Sequence, residues 1–231
     1  MSYTIKDMWL DPRKYPIKSP RLLKPKGIIM HNTSNTASAK NEAAYMTGNS
    51  NEVSFHVVVD EKEVYQCVPF SRVAHHAGNY KANGEYIGLE VARSSSIDEL
   101  YFASERNAIE YVAHVCVQYG WNPHKDVRFH REFNNTACPV RIPTTRYADV
   151  RNAIATKMVE IKSGVKAPDQ VKEVDEMDKP LGKTQQNDMK ALLTHAFKTE
   201  VFSVDHSSKV AKMTRGEALD LLISYNARTI K

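Results

Sequence analysis

Apolar and polar positions alternate along the first 160 residues in short bursts that predict strands and helices in turn. Residues 27–30 are an unbroken apolar run of strand length leading into His31 and a polar loop at 32–40, the pattern of a short buried strand. Residues 53–60 and 63–67, rich in Val and Phe, read as two strands about a Glu61-Lys62 turn. After a turn at Asn83-Gly84, residues 86–91 form a further strand, and residues 127–129 another that ends at His130. Helical spacing shows in Ile109, Val112, Ala113 and Cys116, predicting a helix over 103–119 that Gly120 stops. Tyr147, Val150, Ile154 and Met158 predict a second over 144–161, and residues 41–47 suit a short helix with Asn41 as its cap. Residues 7–25 hold four of the ten prolines and are expected to be an extended arm over the domain.

The alternation stops near residue 162. Residues 163–183 mix Lys, Asp, Glu and Pro with scattered Val and read as a solvated linker between a domain at 1–162 and a small helical domain at 184–231. Two amphipathic helices are predicted there, over 185–198 and 214–226, the second with Thr214 and Glu217 as a capping box. Two such helices make a marginal core, which suggests docking, a ligand, or a dimer through the C-terminal helices. The expected class is α/β with a small α-helical C-terminal domain.

Composition changes this picture little. A hydrophobic content of 42% and a charged content of 26% describe a water-soluble globular chain. The net charge of +5 fits an anionic partner. No arginine-rich run or aromatic stacking signature singles out nucleic acid, so none is expected. No stretch of eighteen apolar residues argues for a membrane, and the first residues lack the apolar core of a secretory signal, so the expected site of synthesis is the cytoplasm. Residues 164–231 carry 11 Lys and Arg against 10 Asp and Glu, which argues against simple electrostatic adhesion by the tail. Three cysteines form no even disulfide framework, and Cys67 and Cys116 read as small core residues.

The chemistry gathers in three places. His130 and Cys138 lie on a non-helical segment with seven residues between them, where an imidazole and a thiolate can reach one ion. His31 at the end of the first buried strand supplies a third ligand, giving a His-His-Cys set with one open position, as in catalytic zinc sites. Glu90 stands amid Ile87, Leu89 and Val91, where a carboxylate needs a reason to be buried.

Five motifs in order carry a resemblance: Ile28-Ile29-Met30-His31-Asn32-Thr33; residues 53–60 with Phe55 and His56; Ala74-His75-His76-Ala77-Gly78; residues 83–90; and residues 130–139. Over roughly residues 20–160 the chain resembles the zinc-dependent N-acetylmuramoyl-L-alanine amidases of the type-2 amidase family, related to phage T7 lysozyme and the peptidoglycan recognition proteins. The likeness is greatest to small endolysins from phages of Gram-positive bacilli. It implies a central mixed β-sheet flanked by helices, and hydrolysis of the amide between N-acetylmuramic acid and L-alanine in peptidoglycan. Zn2+ would be held by His31, His130 and Cys138, with Glu90 as general base and Thr136 as a neutral hydrogen-bonding partner for the reacting carbonyl. Many relatives of the T7 type place Lys at that position, whereas catalytic peptidoglycan recognition proteins carry Thr.

The same resemblance implies substrate contacts from Asn32, Thr33, His76 and Asn83, and assigns His56 to the core or to a place behind the ligands. Phe55 stands where many members have Tyr, and His75 where Trp is usual. The tail then occupies the position of a domain binding a secondary wall polymer, and release to the wall would need a separate pore. Two other readings share this fold: a non-catalytic peptidoglycan-recognition module, and a bacterial autolysin or muropeptide-recycling amidase.

Overall fold

The computed structural model describes residues 3–164 and 183–198. The chain divides into two compact units, Met1–Ala167 and Pro168–Lys231. The first unit contains strands β1 (Thr4–Asp7), β2 (Gly27–Asn32), β3 (Val57–Val59), β4 (Glu63–Gln66), β5 (Tyr86–Val91) and β6 (Val127–Phe129). Its helices are α1 (Tyr15–Lys18), α2 (Ala39–Gly48), α3 (Tyr80–Asn83), α4 (Asp98–Tyr119), α5 (Pro123–Asp126) and α6 (Tyr147–Lys162). In the second unit the described part is α7 (Lys183–Lys198), in which Met189 and Leu193 are buried. The helix expected at 214–226, its capping box and the expected dimer contact lie outside the described residues.

The six strands form one mixed sheet in the order β1-β4-β3-β5-β2-β6, with β3 and β4 antiparallel and the other pairs parallel. β2 lies between β5 and β6, and all six of its residues are buried, which explains its unbroken apolar run. Strand alternation divides the sheet's two faces. Ile28, Met30, Val57, Val59, Ile87, Leu89, Val127 and Phe129 join α4 and α6 residues in the main core, which includes Tyr101, Val112, Cys116, Val150 and Ile154. Each large side chain buried this way contributes about 1.5–3 kcal/mol. Val58, one position out of phase, packs instead with Ala39, Ala43 and Met46 of α2. The residues left on this second face at β2 and β5 include His31 and Glu90.

Several boundaries differ from the pattern reading. β1 pairs in parallel with β4, although its four residues are exposed and leave no alternation in the sequence to reveal it. The arm at 7–25 contains the short α1 and is pinned by lysines: Lys14 Nζ donates to the carbonyls of Thr47, Gly48 and Asn49 at the end of α2, and Lys18 Nζ to Val53 O. The run at 53–60 yields a ladder only at 57–59; before it, Ser54 N donates to His75 O outside the strands and His56 N to Gly88 O of β5. Ser38 rather than Asn41 caps α2: its hydroxyl accepts from Asn41 N, and Ala39 N donates to Asp60 Oδ2. α4 begins at Asp98, where Asp98 and Glu99 favour a helix N-terminus, and ends at Gly120 in the left-handed conformation. Cys67 and Cys116 are fully buried core residues.

Candidate metal centre

His31 lies near the carboxyl end of β2, Glu90 near that of β5, and His130 directly after β6. These three strands are adjacent and parallel, and the carboxyl ends of such strands form the edge where open α/β sheets place their sites. Cys138 completes the set from the following loop. The ligand atoms of His31, His130 and Cys138 all lie within 4.8 Å of one another, with Cys138 Sγ 3.7 Å from His31 Nδ1.

Both imidazoles have neighbours at their far nitrogens. His31 Nε2 is 3.0 Å from His76 Nδ1, and His76 Nε2 is 3.2 Å from Tyr86 O. His130 Nε2 is 3.0 Å from Ala77 O. Burial, followed by the nearby rings of His76 and His130, holds the pKa of His31 well below its ordinary value. Burial likewise lowers that of His130. Both rings are therefore neutral near pH 7, the state in which an imidazole binds metal.

The loop carrying Cys138 is clipped from behind. Arg131 donates from Nε to Thr136 O at 3.0 Å and from Nη2 to Ala137 O at 2.5 Å. Cys138 N donates to Thr136 Oγ1, and Asn32 N points at Cys138 Sγ from 3.4 Å. Burial pushes the Cys138 thiol up to about 12, with the Glu90 carboxylate adding to the effect. Such a sulfur ionises when a cation is present to balance it.

Glu90 is half-buried, and its Oε2 is a buried oxygen with no hydrogen-bond partner. Burial, with a smaller contribution from Glu42, raises its pKa to about 8. It lines a cleft of about 190 Å³ together with Asn32, Thr33, Tyr45, Asn51 and Phe55. A second cleft of about 370 Å³, lined by Arg21, His75, Asn79 and Tyr80, shares Val53 with the first. The larger cavity of about 560 Å³, against Ala103, Ile109, Ala153 and Lys157, contains none of the metal-binding set.

Three of the expected substrate contacts line the two clefts, Asn32 the smaller and His76 and Asn83 the second, and each also has internal partners. Asn32 accepts from Arg141 N at Oδ1 and donates to His31 O and Tyr101 OH, so it braces the ligand strand. Asn83 Oδ1 accepts from the N–H groups of His76 and Ala77, and both ring nitrogens of His76 are engaged. These partners explain why the polar side chains of all three are buried. Thr33 remains beside Glu90 in the smaller cleft. Thr136 sits in the ligand loop, where its hydroxyl accepts from Cys138 N and keeps its own O–H to donate.

The donor set fits a zinc ion. It has two neutral imidazoles, a thiol that needs a cation to ionise, and a neighbouring carboxylate oxygen without a partner. Pattern reading missed Arg131 and Gly88. Arg131 is one of many surface-like basic residues in the sequence. Gly88 had a visible signal, since a glycine inside an apolar strand marks close approach by another group. A Cβ at Gly88 would lie 2.4 Å from His76 Cγ.

The pattern of the N-acetylmuramoyl-L-alanine amidase family matches residues 21–141. The N-acetylmuramoyl-L-alanine amidase CwlA of Bacillus subtilis is 40% identical over 152 residues, covering 64% of this chain and 56% of that protein. N-acetylmuramoyl-L-alanine amidase XlyB of the same organism is 38% identical over 171 residues, covering 72% of this chain and 53% of that protein. This chain thus spans little more than half the length of these relatives. The structure of PlyL superposes with a TM-score of 0.62 at 37% identity, covering 65% of this chain and 96% of that one.

Proposed function

Starting from the fact that the chain belongs to the N-acetylmuramoyl-L-alanine amidase family, we propose that it is a zinc-dependent endolysin-type enzyme. Its reaction is cleavage of the amide joining the lactyl group of N-acetylmuramic acid to L-alanine in the peptidoglycan of Gram-positive walls. The observation that carries this reading is the convergence of His31, His130 and Cys138 within 4.8 Å, on the sheet edge where Glu90 presents an unpartnered carboxylate oxygen.

When bound, zinc supplies a Lewis acid for the amide carbonyl and lowers the pKa of water at the site. The chain's own groups do the rest. His31, His130 and Cys138 would hold the ion in neutral-ring and thiolate form. Glu90 takes a proton from the attacking water as its oxygen adds to the lactyl carbonyl carbon. Breaking the C–N bond then passes that proton to the alanine nitrogen, leaving a carboxyl on the sugar side and a free amino group on the peptide. Thr136 donates its O–H toward the oxygen on which charge develops. Thr33, beside Glu90, makes a polar contact to the bound substrate. The mixed polar and apolar lining of the smaller cleft suits a sugar-peptide junction.

For the tail, the position after the amidase domain and its near-neutral charge favour recognition of a wall polymer by hydrogen bonding and apolar contact over charge attraction.

The test is digestion of purified Gram-positive peptidoglycan by wild type and by Cys138→Ser, with bound zinc determined in each. New L-alanine amino termini without new reducing sugars, lost together with zinc in the variant, are expected. Stoichiometric zinc with no bond cleaved would replace the enzyme by a recognition module.

A further inference from the structure

We propose that His76 is a positioning residue that locks His31 in the tautomer whose Nδ1 is bare and free for metal, with Ala77 O of the same loop doing this for His130. The inference rests on the zinc reading above and deepens it. It starts from a group whose role admits no choice, since a backbone carbonyl can only accept.

Tyr86 O lies 3.2 Å from His76 Nε2, so that nitrogen carries the hydrogen. His76 is buried and its ring nitrogens face a backbone carbonyl and another imidazole, with no carboxylate to balance a second proton, so its Nδ1 has only a lone pair. His31 Nε2, 3.0 Å away, must then be the donor. A neutral His31 with its hydrogen on Nε2 has a bare Nδ1, and this is the atom 3.7 Å from Cys138 Sγ. At His130 the same reasoning takes one step, because Ala77 O accepts from Nε2 at 3.0 Å and leaves Nδ1 bare. In the opposite tautomer either ring would aim an N–H at the ion and could not bind it.

The loop that enforces this is built for its position. Asn83 Oδ1 accepts from His76 N at 3.1 Å and Ala77 N at 2.8 Å, holding both acceptors in register with their histidines. Gly88 leaves the space that the His76 ring fills. Gly88 N in turn donates to His56 Nδ1 at 2.9 Å, and His56 Nε2 donates to Arg72 O at 2.8 Å. Backbone carbonyls at Tyr86, Ala77 and Arg72 thus set the tautomers of every histidine in the cluster. Losing a partner that orients a metal-bound histidine costs about 10–100-fold in metal affinity.

The experiment uses the full chain labelled with 15N-histidine, read by two-bond proton–nitrogen correlation with and without zinc. The expected result is hydrogen on Nε2 of His31 and His130 in both states, with only the Nδ1 shifts moving on zinc addition. In chelator competition His76→Leu, which keeps bulk but no acceptor, should weaken zinc binding about 10–100-fold. His76→Asn, with a carbonyl near the original Nδ1, should recover most of it. Thermal unfolding of the metal-free variants separates this loss from a general loss of fold. Zinc bound through Nε2 of His31 in wild type, or unchanged affinity in a folded His76→Leu, would overturn the assignment while leaving the zinc reading intact. Wild type that takes up no zinc would overturn both.

Discussion

His31 and Glu90 are register partners on adjacent parallel strands, β2 and β5, so the imidazole and the carboxylate project from the same face of the sheet. Parallel pairing fixes their separation through the backbone, and neither depends on a loop for its place. Glu90→Gln keeps size and hydrogen bonding while removing the base. The expected outcome is full zinc occupancy with turnover reduced about 10²–10⁴-fold. Near-normal release of amino termini by this variant would take Glu90 out of the reaction.

Removing a ligand should act on the metal before anything else. His31→Ala, His130→Ala and Cys138→Ser are each expected to lose most bound zinc at micromolar metal. Chelated wild type should lose activity and regain it when zinc is restored. Atomic absorption on dialysed protein reads the occupancy, and a Cys138→Ser variant with one tightly held zinc would contradict the proposed set.

Acid stability offers a test away from the metal. Burial depresses the folded pKa of His56 to about 4 from an ordinary value near 6.5. Below pH 6.5 the unfolded chain takes up a proton that the folded chain refuses, so this contribution to stability is intact above pH 6.5 and is lost as pH falls toward 4. The slope is about 1.4 kcal/mol per pH unit. His56→Asn, which can still accept from Gly88 N, should be flatter by about that amount in urea unfolding between pH 6.5 and 5. Parallel acid profiles for the two proteins would place the proton uptake elsewhere.

Gly88→Ala tests the close packing behind the site. The added methyl would lie 2.4–2.8 Å from three ring atoms of His76, which is held at both nitrogens and cannot swing aside without breaking a bond. A loss of about 1–3 kcal/mol is expected, together with weaker zinc binding. Unchanged melting and zinc affinity would show that the ring relocates freely.

The chain divides at residue 167, which permits a separation of roles. A fragment of residues 1–167 should bind zinc and cleave soluble muropeptide at the full-length rate while attaching less to intact walls. Equal wall attachment by the fragment would remove targeting from the tail.

Much of the site was legible in the chain. Apolar runs ending in a polar residue located the strands, because a strand buried on both faces must be apolar until it reaches the sheet edge. The ligand types were visible because neutral imidazole and thiolate are the donors zinc takes. Glu90 stood out as a charge among apolar neighbours, and Gly88 carried a signal that went unused. β1 was invisible because an exposed edge strand of four residues has no pattern to show.

The sequence alone therefore carried the α/β class and the residues, His31, His130, Cys138 and Glu90, that the fold brings to one sheet edge, since these depend on residue type and local periodicity. Tertiary structure decided which ring nitrogens of His31 and His130 are engaged by neighbours and which polar side chains have internal partners. Asn32, His76 and Asn83 are expected as substrate contacts, and along the chain nothing shows that they also have partners inside the fold. Only folding reveals that their partners are Arg141 N, His31 Nε2 and the backbone of residues 76–77. A hydrogen bond joins groups brought together by the sheet from up to 109 positions apart, and no local pattern encodes such a meeting.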